Sequence, residues 1–416
     1  MEQLKNAALI ESKYSMGMHV VMKTKETNTL VVLMKIAIGV FLLIGLSTVC
    51  TAAIHVTKAG WPDPDGSAGK PYHMIEAGIV RAQTAVVNNI VVGPGKYYET
   101  FTTDIPCTLE ALTGTVTIGK MDYLASTTLE IITLNTHLFG DSPGDSWKDK
   151  ARAYDIAIKL RDMGAKKPDV VGFQEIWDED LFFGDDGVTL GIRLRSEYPY
   201  GDHGDIGWPG GNSGLALTSL HPIDDFEQRS FGYGTGWDSW ANKGWIQATI
   251  KKGGFSIWLF NTHTQAGEDN SVIRAAQITE LITEIDKCRR NHPDHVVFAF
   301  GDFNVYGELG EYWTSLIPMI GIAVGGRDAD RNSPRFIDPW TYKRSNDLAW
   351  HFDKESKSGR LDYIFYFPSY DGSVEVLPMD VYVLPFRGRW LTEDGLTTNE
   401  SSDHYSVHGK FKLIRK

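Results

Sequence analysis

The sequence predicts an α/β (α+β) protein built as two stacked β-sheets with helices on their outer faces, and three observations carry that prediction. From Leu129 onward, short runs rich in Val, Ile, Phe and Tyr recur with turn residues between them. Two segments of the same region instead place apolar residues at helical spacing. About ten strands with so few helices exceed one ordinary sheet, whereas two sheets packed face to face accommodate them.

The elements follow in order. LEIITLNTHLFG (129–140) reads as a strand. Trp147, Ala151, Tyr154 and Ile158 then form one helical stripe, which Gly164 ends. DVVGFQEI (169–176) and SGLALTSLHPI (213–223) read as strands, and GWIQATIKKGGFSIWLFNTHT (244–264) as two strands around a Lys-Lys-Gly-Gly turn. Ile278, Leu281, Ile282 and Ile285 mark the core face of a second helix. HVVFAFGDFN (295–304), RLDYIFYF (360–367), VEVLPMDVYVL (374–384) and HYSVHGKFKLI (404–414) supply the remaining strands.

Upstream the texture differs. Ile36–Ala53 is an uncharged apolar stretch, suited to a signal-peptide core, a short membrane anchor or a buried helix. Read from Met34, with Lys35 as its charged start and Cys50 and Ala52 as small residues before a cleavage site, it predicts a secreted protein. The alternative is anchoring through residues 36–53. The 33 residues before Met34 read as neither structure nor targeting, so translation is expected to start at Met34. Lys58–Lys70 reads as a linker. The chain is therefore divided into residues 1–53, 54–126 and 127–416.

Residues 73–119 combine an amphipathic piece, MIEAGIVRAQTAVV, with the segments IVVGPGKYYE and TLEALTGTVTIG. These resemble the opening turn of a pectin-lyase-like right-handed β-helix, with no further repeat visible. A single coil cannot bury its own faces, so the segment reads as a remnant glycan-binding module or as a small β-rich cap.

Composition narrows the function. A formal charge of −12 and the lack of a Lys/Arg run weigh against a protein that grips nucleic-acid phosphates. Cys50, Cys107 and Cys288 include no C-x-x-C pair and so suggest no zinc site; with Cys50 removed, either one disulfide or two thiols remain. Gly207–Gly214 has no strand-turn-helix context for a phosphate loop.

The chemistry gathers at strand ends. Asn135, Glu175, His263, Asp302, Asn304, Asp362, Asp403 and His404 all lie at or just beyond the end of a predicted strand, where a scaffold aims side chains into a common cleft. Burying that many charges without a metal or substrate would cost several kcal/mol per ion. LNTH, GFQE, NTH, GDFN, RLDY and SDH, in that order, resemble the successive motifs of the endonuclease/exonuclease/phosphatase superfamily. The resemblance implies a four-layer sandwich, with two mostly antiparallel sheets flanked by helices and one cleft at the sheet edges. Gln265, Ala266, Arg274 and Gln277, with GNSGLALTSLHPI and the Lys243-Gly244 pair, are similar to its neutral sphingomyelinase branch. That likeness implies a phosphodiesterase that releases phosphocholine and ceramide from sphingomyelin.

A phosphodiester attacked in line by water needs its growing charge neutralised. Glu175 suits Mg²⁺, with Asn135 and Asp403 completing the oxygen ligands. His404 suits the general base, oriented by Asp362. Asp302 would position the water, Asn304 would donate to a non-bridging oxygen, and His263 would hold or protonate the other side of the phosphate. His137 reads either as a supporting hydrogen-bond donor or as a surface histidine. Trp237, Trp240 and Trp245 near Lys243, and Phe386 and Trp390 in a late loop, suit either the core or a lipid headgroup layer. The expected partner is a phospholipid surface carrying sphingomyelin, with no protein partner implied. Nucleic acid is the alternative substrate, and a glycan-binding protein with an inactive cleft is a third reading.

Overall fold

The computed structural model describes residues 23–24, 28–29, 53–57, 64, 67–85, 87–97, 107–118, 125–138, 149–176, 194, 197–203, 213–239, 241–307, 309–334, 340–343, 345–352, 358–391 and 397–416. Cys50, the apolar stretch before Ala53, most of the 58–70 and 207–214 segments, Trp147 and Trp240 lie outside the described residues, as do the side chains of Trp237 and Trp390. The chain divides into two compact units, Met1–Tyr123 and Leu124–Lys416.

In the first unit β1 (Ala53–Val56), β2 (Asn89–Val92) and β4 (Thr108–Ala111) lie side by side in parallel, and β3 (Gly95–Tyr97) pairs in parallel with β5 (Val116–Ile118). β2–β3 and β4–β5 thus lie strand on strand, in register and in parallel. The helix α1 (Ile75–Ala85) buries Ile75, Ala77, Ile79 and Ala82, so the core of this unit comes from its coil and its helix together. Cys107 and Cys288 are free thiols.

The second unit runs β6 (Ser126–Leu138), α2 (Asp149–Asp162), β7 (Val170–Ile176), β8 (Tyr200–His203), β9 (Ala216–Ser219), β10 (Ile223–Ser230), β11 (Gly244–Lys252), β12 (Phe255–His263), α3 (Ser271–Asn291), β13 (Val296–Asp302), β14 (Arg327–Asp328), β15 (Asp362–Phe367), β16 (Val374–Leu384) and β17 (Ser406–Arg415). A hairpin, Arg387–Leu391 with Thr397–Glu400, precedes β17. One six-stranded sheet has the order β8-β9-β7-β6-β17-β16, the other β10-β11-β12-β13-β15-β14. Pairing is parallel at β6/β7 and β12/β13 and antiparallel at the other neighbours. The Lys-Lys-Gly-Gly turn joins β11 to β12, with Gly253 at φ 56° and Gly254 at φ 83°, the left-handed pair that a two-residue hairpin needs.

The strand period of two explains the layers. Leu129, Ile131, Ile257, Leu259, Phe298 and Phe300 face inward and fill the space between the sheets. Their neighbours Ile132, Leu134, Trp258, Phe260, Val297 and Ala299 face outward, yet are also buried. α2 covers Ile132 and Leu134 with Ala153, Ile156, Ala157 and Leu160, and α3 covers Trp258, Phe260, Val297 and Ala299 with Ile278, Leu281, Ile282 and Ile285. Burial on both faces is why these strands read as continuous apolar runs. The result is the expected four-layer sandwich.

Two expectations need correction, and one open alternative is decided. The buried stripe of α2 is displaced from the predicted one: Tyr154 is exposed, because the face pressed on the sheet is the one carrying the small Ala153 and Ala157, which let the helix approach. Trp245 and Phe386 are core residues, 4% and 3% exposed, and are thus unavailable to a lipid surface. Residues 213–223 supply the strand β9 only over Ala216–Ser219, and the next strand already begins at Ile223.

Candidate active site

Along the inward-facing columns, side chains change from apolar to polar as they approach one end of the sandwich. β6 runs Ile131, Thr133, Asn135; β12 runs Leu259, Asn261, His263; β13 runs Phe298, Phe300, Asp302. His263, Asp302 and Asp362 are register partners in one row across β12, β13 and β15, so their side chains emerge together at the mouth. Beneath them the sheets are joined by amides. Gln174 Nε2 donates to Asn261 Oδ1 (2.6 Å) and Thr133 Oγ1 (3.0 Å), while Asn261 Nδ2 donates to the carbonyls of Phe173 (2.9 Å) and Ala216 (3.0 Å).

Glu175 follows Gln174, and strict alternation would turn it away from the cleft. Its backbone is left-handed instead, at φ 57°, which brings the carboxylate back. His137 (φ 50°) and Asn304 (φ 49°) are left-handed as well, His137 within an irregularity of the β6/β7 pairing between Asn135 and Leu138. Left-handed non-glycine residues cost energy and cluster where the surroundings hold a functional geometry. Gly301 (φ 141°) keeps the row tight, since a Cβ there would meet the carbonyl oxygen of Thr262 at 1.9 Å.

All eight residues singled out from the sequence meet in one network. His404 Nδ1 pairs with Asp362 Oδ2 at 2.8 Å and its Nε2 lies 3.8 Å from Asp302 Oδ2. Asn135 Nδ2 donates to Asp302 Oδ2 (3.0 Å), and the Asn304 N–H donates to Asp302 Oδ1 (2.8 Å). His263 Nε2 lies 3.6 Å from both Glu175 Oε1 and Asp302 Oδ2. Asp403 joins through His137, whose Nδ1 is 3.4 Å from Asp403 Oδ2 and 3.3 Å from Glu175 Oε2.

Burial sets the charges. It disfavours the cation of His404, yet Asp362, Asp403 and Asp302 around it carry the imidazole well above its ordinary pKa. Burial and then the facing Asp362 push Asp302 up to about 7. Burial also acts to raise Glu175, but the His137 imidazole 3.3 Å away and the Lys243 ammonium hold it well below the carboxylate range. His263 is kept neutral by burial and then by the Lys243 ammonium.

Glu175, Asn135 and Asp403 are the hard oxygen donors that the sequence assigns to a divalent cation, and Glu175 Oε2 is buried without a hydrogen bond. Asp362 Oδ1 is buried without one as well. Asp302, Asp362 and His404 form a further candidate grouping, each offering one ligand atom within 4.8 Å of the others.

Several residues that matter here carried little or no signal in the sequence. Lys243, noted there only as a family likeness, is 5% exposed; its Nζ donates to His263 Nε2 (2.9 Å) and the Thr264 carbonyl (3.0 Å) and pairs with Asp238 (3.1 Å). Arg152 is fully buried and donates to the carbonyls of Thr136 (3.2 Å), His137 (2.7 Å) and Ser401 (3.1 Å), tying the end of β6 to the loop that carries Asp403. Its signal was an arginine on the apolar face of α2. Arg274 and Gln277 hold the loop after His263: the guanidinium donates to the Gln265 (3.0 Å) and Gly267 (2.6 Å) carbonyls, and Gln277 Oε1 accepts from the Gln265 N–H (2.7 Å).

The model of the Endonuclease/Exonuclease/phosphatase family matches residues 132–404, which span every strand end described above. The chain belongs to that family. Among relatives, it is 28% identical over 307 residues to sphingomyelinase C of Leptospira interrogans, covering 68% of this chain and 51% of the relative. It is 26% identical over 314 residues to phospholipase C of Staphylococcus aureus, covering 68% of this chain and 86% of that one. The chain thus spans about half the length of the Leptospira relative. The crystal structure of beta toxin from Staphylococcus aureus superposes with a TM-score of 0.55 at 24% identity, over 69% of this chain and 100% of that chain, and shows the same fold. Within the family fold the eight site residues occupy the mouth where the two sheets open.

Proposed function

We propose that the protein is a secreted, Mg²⁺-dependent phosphodiesterase that hydrolyses sphingomyelin to phosphocholine and ceramide at a phospholipid surface. The observation that carries the reading is the Asp362–His404 pair at 2.8 Å, set in one row with Asp302 and His263 and faced by Glu175. The similarity to sphingomyelinase C and phospholipase C supports the choice of substrate, and the charge of −12 suits a zwitterionic headgroup better than a polyanion.

A bound divalent cation, held by Glu175, Asn135 and Asp403, would supply positive charge to the phosphate oxygens and offset the carboxylates that keep His404 charged. Asp362 fixes Nδ1 of His404, which leaves Nε2 to take the proton of the attacking water. Asp302, between Asn135 and His404, positions that water. The new P–O bond forms as the bond to the ceramide oxygen breaks, and that oxygen takes up a proton. The Lys243–His263 pair is assigned this proton, since Nε2 of the neutral ring already faces the ammonium. Asn304 gives one amide hydrogen to the Thr264 carbonyl and keeps a second for a non-bridging oxygen.

Phosphocholine release from sphingomyelin vesicles, compared with nicking of plasmid DNA, each with Mg²⁺ and with chelator, tests the proposal. Lipid hydrolysis that the chelator abolishes is expected. Chelator-insensitive turnover would remove the metal from the mechanism, and DNA cleavage without lipid hydrolysis would make the protein a nuclease. Secretion rests on the segment Met34–Ala53, and a mature N-terminus found upstream of that segment would overturn it.

A further inference from the structure

Asp362 and His404 reach their 2.8 Å hydrogen bond from different sheets, β15 carrying the carboxylate and the loop into β17 the imidazole. Thr341 and Tyr342 belong to no strand of either sheet, yet they bond to the backbone on both sides of that pair. Thr341 is fully buried. Its hydroxyl oxygen accepts from the N–H groups of Leu361 (3.1 Å) and Asp362 (3.2 Å), and its carbonyl accepts from the N–H of Tyr405 (2.7 Å). Tyr342 exchanges both backbone hydrogen bonds with Gly359 (3.0 and 2.9 Å), forms a β-bridge with His404 and sets its ring edge-on to the imidazole, 5.1 Å between centroids. On its other side the start of β15 is held by the chain leaving β13, where the Phe303 N–H donates to the Leu361 carbonyl (3.0 Å). One hydroxyl thus stands in for the neighbouring strand that two buried N–H groups would otherwise need.

We infer that Thr341 is a positioning residue of the Asp362–His404 pair. Its side chain fixes the backbone that carries the carboxylate, and its main chain fixes the backbone beside the imidazole, so this one residue sets the distance between the two. The inference deepens the proposed hydrolysis and takes its kinetic test from that reading. Thr341→Val keeps the shape and the main-chain bond but strips both N–H groups of their acceptor, whereas Thr341→Ser keeps the oxygen. The valine variant lets the carboxylate drift from Nδ1, and misplacing a catalytic group by about 1 Å costs on the order of 10²-fold in rate. Thr341 is too buried to meet substrate, so the loss falls on the chemical step.

Steady-state kinetics on sphingomyelin vesicles with Mg²⁺, scaled to the folded fraction seen by circular dichroism, compares wild type with both variants. In Thr341→Val kcat should fall about 10- to 10²-fold with KM unchanged, and in Thr341→Ser it should stay within about threefold of wild type. A wild-type kcat in the valine variant, a loss carried by KM, or a serine variant as slow as the valine one overturns the inference. Proton nuclear magnetic resonance of the full-length protein reads the pair without turnover. The downfield signal of the His404 Nδ1 proton, assigned by its loss in His404→Ala, should be shared by wild type and Thr341→Ser and displaced in Thr341→Val. An unchanged signal overturns the inference. Wild type that hydrolyses no sphingomyelin while the signal shifts as expected overturns the proposed substrate alone. Should the valine variant not fold, a crystal structure of the wild type decides, since Thr341 Oγ1 beyond hydrogen-bond reach of the Asp362 N–H overturns the inference.

Discussion

His404 has one ring nitrogen on Asp362 and the other turned toward Asp302, the disposition of a base whose tautomer is held by its partner. His404→Ala should lower turnover about 10²- to 10⁴-fold while leaving the circular dichroism spectrum unchanged. Asp362→Asn should cost a similar factor, since an amide can hold the ring in the wrong tautomer. Wild-type-like rates in either variant would remove the pair from the chemistry. The charges also predict a pH dependence of stability. Asp302 moves from an ordinary 3.8 up to about 7, and His404 moves up from 6.5, so folding favours the protonated form of each. Their contributions are complete at low pH and are lost as pH rises, from 3.8 through about 7 for Asp302 and above 6.5 for His404. Glu175, held low, contributes fully above 4.5 and adds no slope there. Asp302 and His404 together should lower the Tm of the metal-free protein between about pH 5.5 and 8.5, against the opposite slope of the neutral His263 near pH 6.5, and Mg²⁺ should raise it more at the upper end. A cation effect equal at both pH values would contradict this electrostatic account.

At the scale of elements, strand ends were the legible part. Each motif residue breaks an apolar run with a carboxylate, amide or imidazole, and that break is visible without a structure. Less visible was what aims them. Glu175 reaches the cleft through left-handed backbone, and His137 and Asn304 share that conformation, which neither hydrophobic period nor propensity reveals. The core face of α2 was misplaced because small alanines rather than the large Tyr154 meet the sheet. That same face carries Arg152, whose guanidinium satisfies three carbonyls on the Asp403 side of the cleft. Arg152→Met keeps the bulk and strands those acceptors, so denaturant unfolding should report a loss of about 3 kcal/mol. A loss under about 0.5 kcal/mol would place Arg152 outside the support of the cleft.

Over the whole molecule, two sheets lie close enough for one amide ladder and one mouth to serve both. The four-layer class could be read from strand count, because strands buried on both faces are apolar throughout. The sheet order could not, since pairing partners far apart in the chain leave no periodic trace. Gly172 marks how tightly the sheets approach: a Cβ there would meet the Phe300 ring at 2.3 Å. Gly172→Ala should destabilise the fold by about 1–3 kcal/mol, measured by denaturant midpoint, without changing the identity of the reaction products. An unaffected midpoint would show slack between the layers. The central claim is that the cleft directs water onto phosphorus of a sphingomyelin phosphodiester. Hydrolysis of sphingomyelin vesicles in ¹⁸O-labelled water with Mg²⁺, read by ³¹P nuclear magnetic resonance, tests it most directly. The account predicts one labelled oxygen on phosphocholine, seen as an isotope shift of its phosphorus signal. Label in the ceramide hydroxyl, or no phosphocholine at all, would contradict it.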